Sequence, residues 1–181
     1  MYYGNIIYCD IANGLGCRTS LFVSGCRHCC KNCFNPMTWS FQYGKPYTQE
    51  TKQQILKSIK LSHIQGLTIL GGEPFEPENQ EEVLDLVTTV KELYPNKNIW
   101  IYSGYTFEQL MGEMCEKFTH MTTQTSINNC KEILKHIDIL VDGEFKEHLY
   151  NITLKYKGSS NQRIIDVQET LKLGEVREKS L

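Results

Sequence analysis

Three cysteines within eight residues constrain this chain more than any other feature. Cys26, Cys30 and Cys33 follow directly after a short apolar run. Three thiolates on one loop can hold a metal ion or an iron–sulfur cluster, and one metal position then stays open. An iron–sulfur cube is normally held by four thiolates. A set of three therefore indicates a cluster that reacts with a substrate rather than one that only carries electrons.

The spacing alone leaves the ligand set open. Cys26 with Cys29, and Cys30 with Cys33, form two overlapping Cys-x2-Cys pairs. Three interpretations fit this pattern: an iron–sulfur cluster, a structural zinc site built from four nearby Cys and His side chains, and thiols without a ligand. Zinc ribbons usually separate their two pairs by a longer segment, so the cluster is favoured.

The composition restricts the compartment and the classes of partner. The chain has 181 residues, eight of them cysteine, and a formal net charge of −2. This length predicts a single domain over 1–181 with a charged tail that frays from about Lys172. Many cysteines without a visible signal peptide favour metal or cluster binding in a reducing cytoplasm. Neither the charge nor any apolar run indicates nucleic-acid or membrane binding.

Apolar runs alternate with helical patterns and predict the fold class. The predicted strands are short, mostly continuous apolar runs typical of buried parallel strands, at 21–24, 67–70, 99–102, 137–141 and 163–167. The predicted helices carry apolar residues at helical spacing, within 50–62, 83–94, 107–118 and 130–137. Such alternation predicts a mostly parallel α/β sheet. Because a full eight-fold barrel needs about 250 residues, we expect an open, partial TIM-like (β/α) barrel.

Segments that follow the predicted strands are candidates for one site. The cysteine loop, Gly71–Gly72, Ser103–Gly104 and Asp142–Gly143 each come directly after a strand. Sites in parallel α/β folds form where the carboxyl ends of the strands meet. The sequence therefore predicts that these four segments lie together at one edge of the sheet.

Two motifs resemble those of a known enzyme superfamily. The pattern Cys26-x3-Cys30-x2-Cys33 resembles the cluster motif of radical S-adenosylmethionine enzymes. Downstream, Gly71–Pro74 resembles the Gly-Gly-Glu-Pro motif of the same superfamily. The order and spacing of the two motifs make the resemblance more specific than the cysteines alone.

Further segments resemble one branch of that superfamily. Residues 10–22 resemble the lead-in of the glycyl-radical activating enzymes. Residues 102–105, 138–143 and 158–163 resemble the branch that activates anaerobic ribonucleotide reductases. The resemblance covers nearly the whole chain, from about residue 5 to 167.

The resemblance implies a cofactor pair and an oxidoreductive reaction. Cys26, Cys30 and Cys33 would hold three irons of one 4Fe–4S cluster, and the fourth iron would bind S-adenosylmethionine. Reductive cleavage would give a 5′-deoxyadenosyl radical, which would generate a glycyl radical on an anaerobic ribonucleoside-triphosphate reductase. Reduced flavodoxin or a similar donor is implied as the second partner. The protein would supply position and exclude water from the cofactors.

The resemblance also assigns residues to S-adenosylmethionine. Gly71 and Gly72 would lie against its amino group, since a backbone without side chains lets a ligand approach closely. Glu73 would orient that turn. Asp142 ends a predicted strand, where it is either a binding residue or an ordinary turn residue.

The adenosine portion would lie against Asn32, Cys33 and Phe34. Many radical enzymes carry an aromatic residue immediately before the third cysteine, where this chain has Asn32. Backbone contact is therefore expected there rather than side-chain stacking. Cys29 lies outside the motif and is expected to have no ligand, while His28 is expected to be a solvated loop residue.

The other cysteines and two alternative functions stay open. Cys9 and Cys17 are either redox-active thiols or packing and partner-facing residues, while Cys115 and Cys130 are expected to pack in the core. One alternative function is the activation of another glycyl-radical enzyme of the formate-lyase type, against which the short chain weighs. The other is a non-catalytic zinc or iron–sulfur interaction module.

Overall fold

The computed structural model describes residues 1–113 and 123–180, which form one mixed α/β unit. The strands in chain order are β1 (Tyr2–Asp10), β2 (Arg18–Val23), β3 (Lys45–Pro46), β4 (Gly66–Gly71), β5 (Asn98–Tyr102), β6 (Ile139–Asp142) and β7 (Arg163–Asp166). The helices are α1 (Gln49–Ile59), α2 (Pro77–Leu93), α3 (Phe107–Leu110), α4 (Gln124–His136) and α5 (Val167–Leu173).

One open sheet carries all seven strands, in the order β3-β1-β2-β4-β5-β6-β7. Its centre is parallel, since β2, β4, β5 and β6 run in the same direction. The outer strands β1, β3 and β7 pair antiparallel with their neighbours. The α/β class and the parallel centre predicted from the sequence are confirmed, and the antiparallel edges add to that prediction.

Two features of the edges differ from the sequence-based expectation. The strand β1 was not predicted, because bulges between Tyr3 and Asn5 and between Ile7 and Asp10 interrupt its alternation. The strand β7 was predicted as a strand of a mostly parallel sheet, without a direction of its own. It runs antiparallel because the connection 143–162 contains no α-helix, only a 3₁₀ turn at Glu147–Leu149, and a parallel return usually requires a helical crossover.

Side chains of β5, β6 and β7 alternate between two apolar clusters on opposite faces of the sheet. In β5, Ile99 and Ile101 belong to the larger cluster, whereas Trp100 belongs to the smaller one. Within the described part of the chain, each helix contributes buried residues to the larger cluster, and none contributes to the smaller one. The helices therefore cover one face of the sheet, and loops surround the other.

The predicted helices are confirmed in part. The pattern expected within 107–118 begins as α3, while Met114, Cys115 and Phe118 lie outside the described residues. Cys130 is fully buried in α4, as predicted. No helix of the described residues has the length and apolar character required to cross a membrane.

The charged tail, which was expected to fray from about Lys172, makes backbone contacts with the edge of the sheet. Lys172 lies in α5, and the helix ends at Gly174 in the left-handed conformation. Beyond it, the backbone carbonyl of Arg177 accepts a hydrogen bond from Asp166 in β7. The backbone N–H of Lys179 donates to Ile164 at 2.7 Å. These bonds extend the edge of the sheet.

A buried arginine fixes the beginning of β2. Arg18 is fully buried, and its guanidinium donates to the Thr68 hydroxyl at 2.6 Å and to the carbonyl of Leu67 at 2.7 Å. The guanidinium also lies 5.2 Å from the ring centroid of Trp100. Burial lowers the pKa of Arg18 to about 10, so the side chain stays charged at neutral pH. These contacts connect β2, β4 and β5 at their amino ends.

The loop that precedes Arg18 is closed at its base. Cys9 and Cys17 are paired in a disulfide, with their Cα atoms 5.4 Å apart. Within the loop, the carboxylate of Asp10 accepts hydrogen bonds from the Ala12 backbone and the Asn13 amide. The sequence left the state of these two cysteines open, and the structure places them in contact.

The central strand β5 provides a test of this packing. We expect Ile101→Ala to lower the free energy of unfolding by about 3 kcal/mol, because Ile101 is fully buried and the truncation leaves a cavity. Urea denaturation under anaerobic conditions measures the change. The control Ile152→Ala removes the same atoms from a side chain that is 83% exposed and should change stability by less than about 0.5 kcal/mol. Equal losses in the two variants would contradict the assigned core.

Candidate metal and cofactor site

A cavity of about 530 Å³ lies at the carboxyl ends of the parallel strands. Its volume is within the range of about 300–1,000 Å³ that is usual for small-molecule sites. All four segments that the sequence predicted to converge contribute to its lining, with Cys26, Cys30, Cys33, Gly71, Gly72, Ser103, Gly104 and Gly143. The predicted convergence at one sheet edge is confirmed.

The three predicted cluster ligands face the same cavity. Cys26, Cys30 and Cys33 line it, whereas Cys29 is exposed and does not. The backbone explains this separation, because Cys29 has a φ of 50° and the Cys33 N–H donates to the Cys30 carbonyl at 3.1 Å. This turn places the adjacent thiols of Cys29 and Cys30 in different surroundings.

The thiols of Cys26 and Cys30 are suited to binding a metal group rather than to reacting as free thiolates in solution. Burial raises the pKa of the Cys26 thiol strongly and that of Cys30 to about 11. Both are therefore protonated at neutral pH until a metal displaces the proton. Within 1–113 and 123–180, no three Cys, His, Asp or Glu side chains are grouped to hold a single metal ion. Cys26, Cys30 and Cys33 are the cysteines of the cavity lining that could hold a larger group with several metal atoms.

The glycine turn after β4 is joined to the start of the cysteine loop. Gly71 has a φ of 106°, which side-chain-bearing residues rarely adopt. A Cβ on Gly72 would lie 2.6 Å from the carbonyl oxygen of Gly25. The Glu73 N–H donates to that same carbonyl at 2.8 Å. Glycine at 72 therefore permits the close contact that brings the two segments together.

Glu73 is buried at the cavity, where it accepts three hydrogen bonds and contacts His28. Its Oε1 accepts from the Phe75 N–H at 3.0 Å and from the Ser103 hydroxyl at 2.9 Å. Its Oε2 accepts from the Gly104 N–H at 2.7 Å and lies 3.3 Å from His28 Nε2. The carboxylate therefore joins segments that follow three different strands.

The expectation of a solvated His28 is wrong. Its side chain is only 2% exposed, and its ring centroid lies 4.5 Å from that of Tyr105. Burial by itself would lower the pKa of His28, but the hydrogen bond and negative charge of Glu73 raise it overall. The sequence contained no signal for this burial, because the residues that enclose the ring come from a distant strand end.

A second buried carboxylate holds the cysteine loop from the side of α2. Glu76 is fully buried, and its Oε1 accepts from the Arg27 N–H at 2.8 Å. The Arg27 guanidinium forms ion pairs with Glu76 and with Glu78. Burial raises the pKa of Glu76, although the Arg27 contacts lower it in part. Sequence analysis missed this contact, which depends on the turn between β4 and α2.

Aromatic side chains form one side of the cavity. Phe34 is 64% exposed, and its ring centroid lies 5.1 Å from Phe145 and 5.9 Å from Tyr150. All three line the cavity. Phe34 was predicted as a site residue, whereas the aromatic residues of the 143–162 connection were not, since isolated aromatic residues in a loop carry no periodic signal.

Asn32 lies outside the cavity lining. Its φ is 54°, and its side-chain amide donates to the carboxylate of Glu147. The neighbouring Lys31 ammonium lies 2.9 Å from the same carboxylate. This turn therefore joins the cysteine loop to the connection that supplies the aromatic residues, and any contact of Asn32 with adenosine remains a prediction.

Asp142 is buried and paired with protein groups. Its carboxylate accepts from the Phe107 N–H at 2.8 Å and from Arg163 Nε at 2.9 Å. The Arg163 guanidinium also contacts Glu108 at 2.9 and 2.8 Å. Asp142 itself is not part of the cavity lining, whereas its neighbour Gly143 is. The predicted contact of Asp142 with the cofactor therefore stays a prediction.

A family comparison matches the part of the chain that contains the site. The family model described as a 4Fe-4S single cluster domain matches residues 12–165. This range includes the three cysteines and every residue that lines the cavity. The fold and site therefore define an iron–sulfur protein with a single 4Fe–4S cluster domain.

Curated relatives of this chain share one name, anaerobic ribonucleoside-triphosphate reductase-activating protein. The relative from Enterobacteria phage T4 is 38% identical over 164 residues, 91% of this chain and 93% of its own length. The relative from Vibrio cholerae is 39% identical over 166 residues, 91% of this chain and 97% of its own. The relative from Escherichia coli K12 is 34% identical over 164 residues, 90% of this chain and 96% of its own length. The chain belongs to this family of activating proteins.

The buried ion pair beside the cavity yields a stability prediction. We expect Arg163→Met to lower the free energy of unfolding by about 3 kcal/mol, because it leaves the buried Asp142 without its cation. The control Arg177→Met removes an exposed ion pair with Glu175 and should cost less than about 1 kcal/mol. Urea denaturation at neutral pH compares the two variants.

The stability of the Arg163→Met variant should also depend on acidic pH in a different way from that of the wild type. The hydrogen bond from Arg163 lowers the pKa of Glu108 from 4.5 to about 2. A lowered pKa in the folded state contributes stability above the unfolded value, and this contribution is lost as the pH falls from about 4.5 towards 2. Arg163→Met should therefore show a smaller loss of stability over this interval than the wild type. An unchanged acid profile would refute the assigned ion pair.

Proposed function

We propose that this chain activates an anaerobic ribonucleoside-triphosphate reductase by reductive cleavage of S-adenosylmethionine at a 4Fe–4S cluster. The observation that carries the proposal is the placement of Cys26, Cys30 and Cys33 around one cavity with the Gly71–Glu73 turn, while Cys29 is turned away. The shared name of the relatives supports the reductase as the target.

The proposed architecture is a partial TIM-like (β/α) barrel of the radical S-adenosylmethionine type, formed by one domain over 1–181. The parallel order β2-β4-β5-β6 and the helices on one face support it. Active sites of such folds lie at the carboxyl ends of the strands, which is where the cavity lies.

The cluster would be held by Cys26, Cys30 and Cys33, whose thiols lose their protons on metal binding. The chemistry supplied by such a group is the one-electron reduction of S-adenosylmethionine to methionine and a 5′-deoxyadenosyl radical, which takes a hydrogen atom from a glycine of the reductase. The chain itself binds and orients the two cofactors and keeps water from the reacting atoms.

S-adenosylmethionine would lie along the cavity between the glycine turn and the aromatic side. Gly71 and Gly72 would face its amino group through their backbone, with Glu73 below them. Cys33 and Phe34 would lie against the adenosine portion, and the apolar face of Phe34 suits a purine ring. Asn32 would contribute through its backbone.

Asp142 would act on the cofactor from the end of β6. Its carboxylate is paired with Arg163 and the Phe107 N–H, and these contacts hold the Asp142–Gly143 turn at the cavity. The role proposed for Asp142 is therefore to place the Gly143 backbone beside the ligand.

Two further molecules are needed for turnover. A low-potential donor such as reduced flavodoxin supplies one electron for each cleavage, and the cysteine loop is accessible to it because Cys29 and Lys31 are exposed. The reductase supplies the glycine. The exposed side chain of Ile152 lines the cavity, and that of Ile11 adjoins the lining residue Ala12; both form part of the surface proposed to meet the reductase.

Single cysteine replacements test the assignment of ligands. We expect Cys26→Ala, Cys30→Ala and Cys33→Ala each to abolish incorporation of a full cluster and to reduce 5′-deoxyadenosine formation by at least about a hundredfold, since each removes one of three ligands. Iron content and product yield after anaerobic reconstitution measure these effects. Cys29→Ala is the control and should retain both. If Cys29→Ala loses the cluster while Cys30→Ala keeps it, the ligand assignment is wrong.

The partner is tested by the radical that forms on it. We expect a glycyl radical signal in electron paramagnetic resonance when the chain, S-adenosylmethionine and a reducing system meet an anaerobic ribonucleotide reductase without oxygen. The same mixture with a formate-lyase should give no signal. A signal on the formate-lyase alone would favour the alternative activase, and a cluster indifferent to S-adenosylmethionine would favour a non-catalytic module.

A further inference from the structure

We propose that His28 and Glu73 form a positioning pair, which holds the cysteine loop against the ends of β4 and β5 so that S-adenosylmethionine meets the cluster in one geometry. This inference rests on the proposed function and adds two roles to it. Neither side chain is assigned to the reacting atoms, so both act through the segments that they hold.

Glu73 is oriented towards the protein by its own hydrogen bonds. The N–H of Phe75 and the N–H of Gly104 donate to opposite oxygens of the carboxylate at 3.0 and 2.7 Å. The Ser103 hydroxyl donates to Oε1 at 2.9 Å. With these donors in place, the carboxylate is directed at the β5 end and at His28, while the backbone of the Gly71–Glu73 turn faces the cavity.

His28 fills a space that the fold leaves for it. It lies two residues from both Cys26 and Cys30 in sequence, and its ring packs on Tyr105. A Cβ on Gly104 would lie 2.6 Å from both Cδ2 and Nε2 of His28. Glycine at 104 is therefore required for the imidazole to reach Glu73.

The pair supplements the backbone contacts at the start of the loop. The N–H of Cys26 donates to the Trp39 carbonyl at 3.1 Å, and the N–H of Arg27 donates to Glu76 at 2.8 Å. His28 is the next residue along the loop, and its side chain attaches the loop to the turn that is proposed to hold the amino group of S-adenosylmethionine. Loss of this attachment would let the thiols of Cys26 and Cys30 move relative to Gly71 and Gly72.

We expect such a movement to lower the rate of cleavage strongly and the affinity for S-adenosylmethionine only slightly. A misplacement of about 1 Å between reacting groups can reduce a rate about a hundredfold. The contacts that bind the rest of S-adenosylmethionine lie elsewhere in the cavity. The pair should therefore affect the rate of cleavage and the electronic contact between ligand and cluster, more than the affinity.

Four variants of the full chain, reconstituted with iron and sulfide, test the proposal. His28→Phe keeps a ring over Tyr105 but removes the imidazole nitrogen that lies 3.3 Å from the Glu73 carboxylate. Gly104→Ala displaces His28 without changing either member of the pair, and His28→Gln restores a donor to Glu73. His63→Phe, in an exposed loop at the amino end of β4, is the matched control.

We expect His28→Phe and Gly104→Ala to retain iron and to bind S-adenosylmethionine within about threefold of the wild type, with cleavage reduced about a hundredfold. The change that S-adenosylmethionine causes in the electron paramagnetic resonance spectrum of the reduced cluster should be lost in both. His28→Gln should recover cleavage to within about tenfold of the wild type, and the double variant His28→Phe/Gly104→Ala should be no worse than His28→Phe. His63→Phe should match the wild type.

Three results would overturn the proposal. The first is a wild-type spectral change and cleavage rate in His28→Phe. The second is loss of iron from His28→Phe, His28→Gln and Gly104→Ala alike, which would assign His28 to cluster assembly. The third is additive loss in the double variant. A wild-type protein whose cluster spectrum does not respond to S-adenosylmethionine would instead refute the proposed function itself.

Discussion

The parallel pairing of β2 with β4 is the contact on which the site depends. Val23 and Gly71 are partners at the end of this ladder, and the chain beyond each of them continues into the cavity. The Gly72 N–H donates to the Val23 carbonyl at 2.7 Å and thereby extends the ladder past the end of the strand. The cysteine loop and the glycine turn, 46 residues apart between Cys26 and Gly72, are thus placed side by side by main-chain bonds.

The charges around the cavity follow from the same arrangement. Glu73, Glu76 and Asp142 are all buried at the strand ends, where an unpaired carboxylate would be costly. Glu76 and Asp142 each have an arginine partner, and Glu73 accepts three hydrogen bonds and lies 3.3 Å from His28 Nε2. The negative groups therefore serve to fix loops, and the cavity lining itself is mostly thiol, glycine and aromatic.

The sequence predicted those parts of the molecule that depend on local pattern. The strands β4 and β5 are continuous apolar runs, and the convergence of their following glycines is a direct consequence of parallel pairing. The order of the edge strands could not be obtained in this way, because β1 is bulged and β7 returns without a helix. The cysteine ligands could be proposed from spacing and resemblance, while the different surroundings of Cys29 and Cys30 follow from a backbone angle.

The burial of His28 illustrates what a single sequence does not contain. Its surroundings are Glu73 after β4, and Gly104 and Tyr105 after β5, and no spacing rule connects these positions with a histidine in the cysteine loop. Adjacent polar residues such as Lys31 and Asn32 are exposed, so the local sequence favoured the wrong environment. The contact depends on the ends of β2, β4 and β5, which lie together only in the folded chain.

The restriction of the helices to one face of the sheet affects how a large molecule can reach the cavity. The walls on the other face are the segments 11–17, 24–44 and 143–162, which are turns and loops rather than packed helices. Loops change conformation within nanoseconds to microseconds, whereas helix packing resists displacement. Under the proposed function, a polypeptide that enters the cavity would therefore meet turns and loops rather than the helices that cover the buried core.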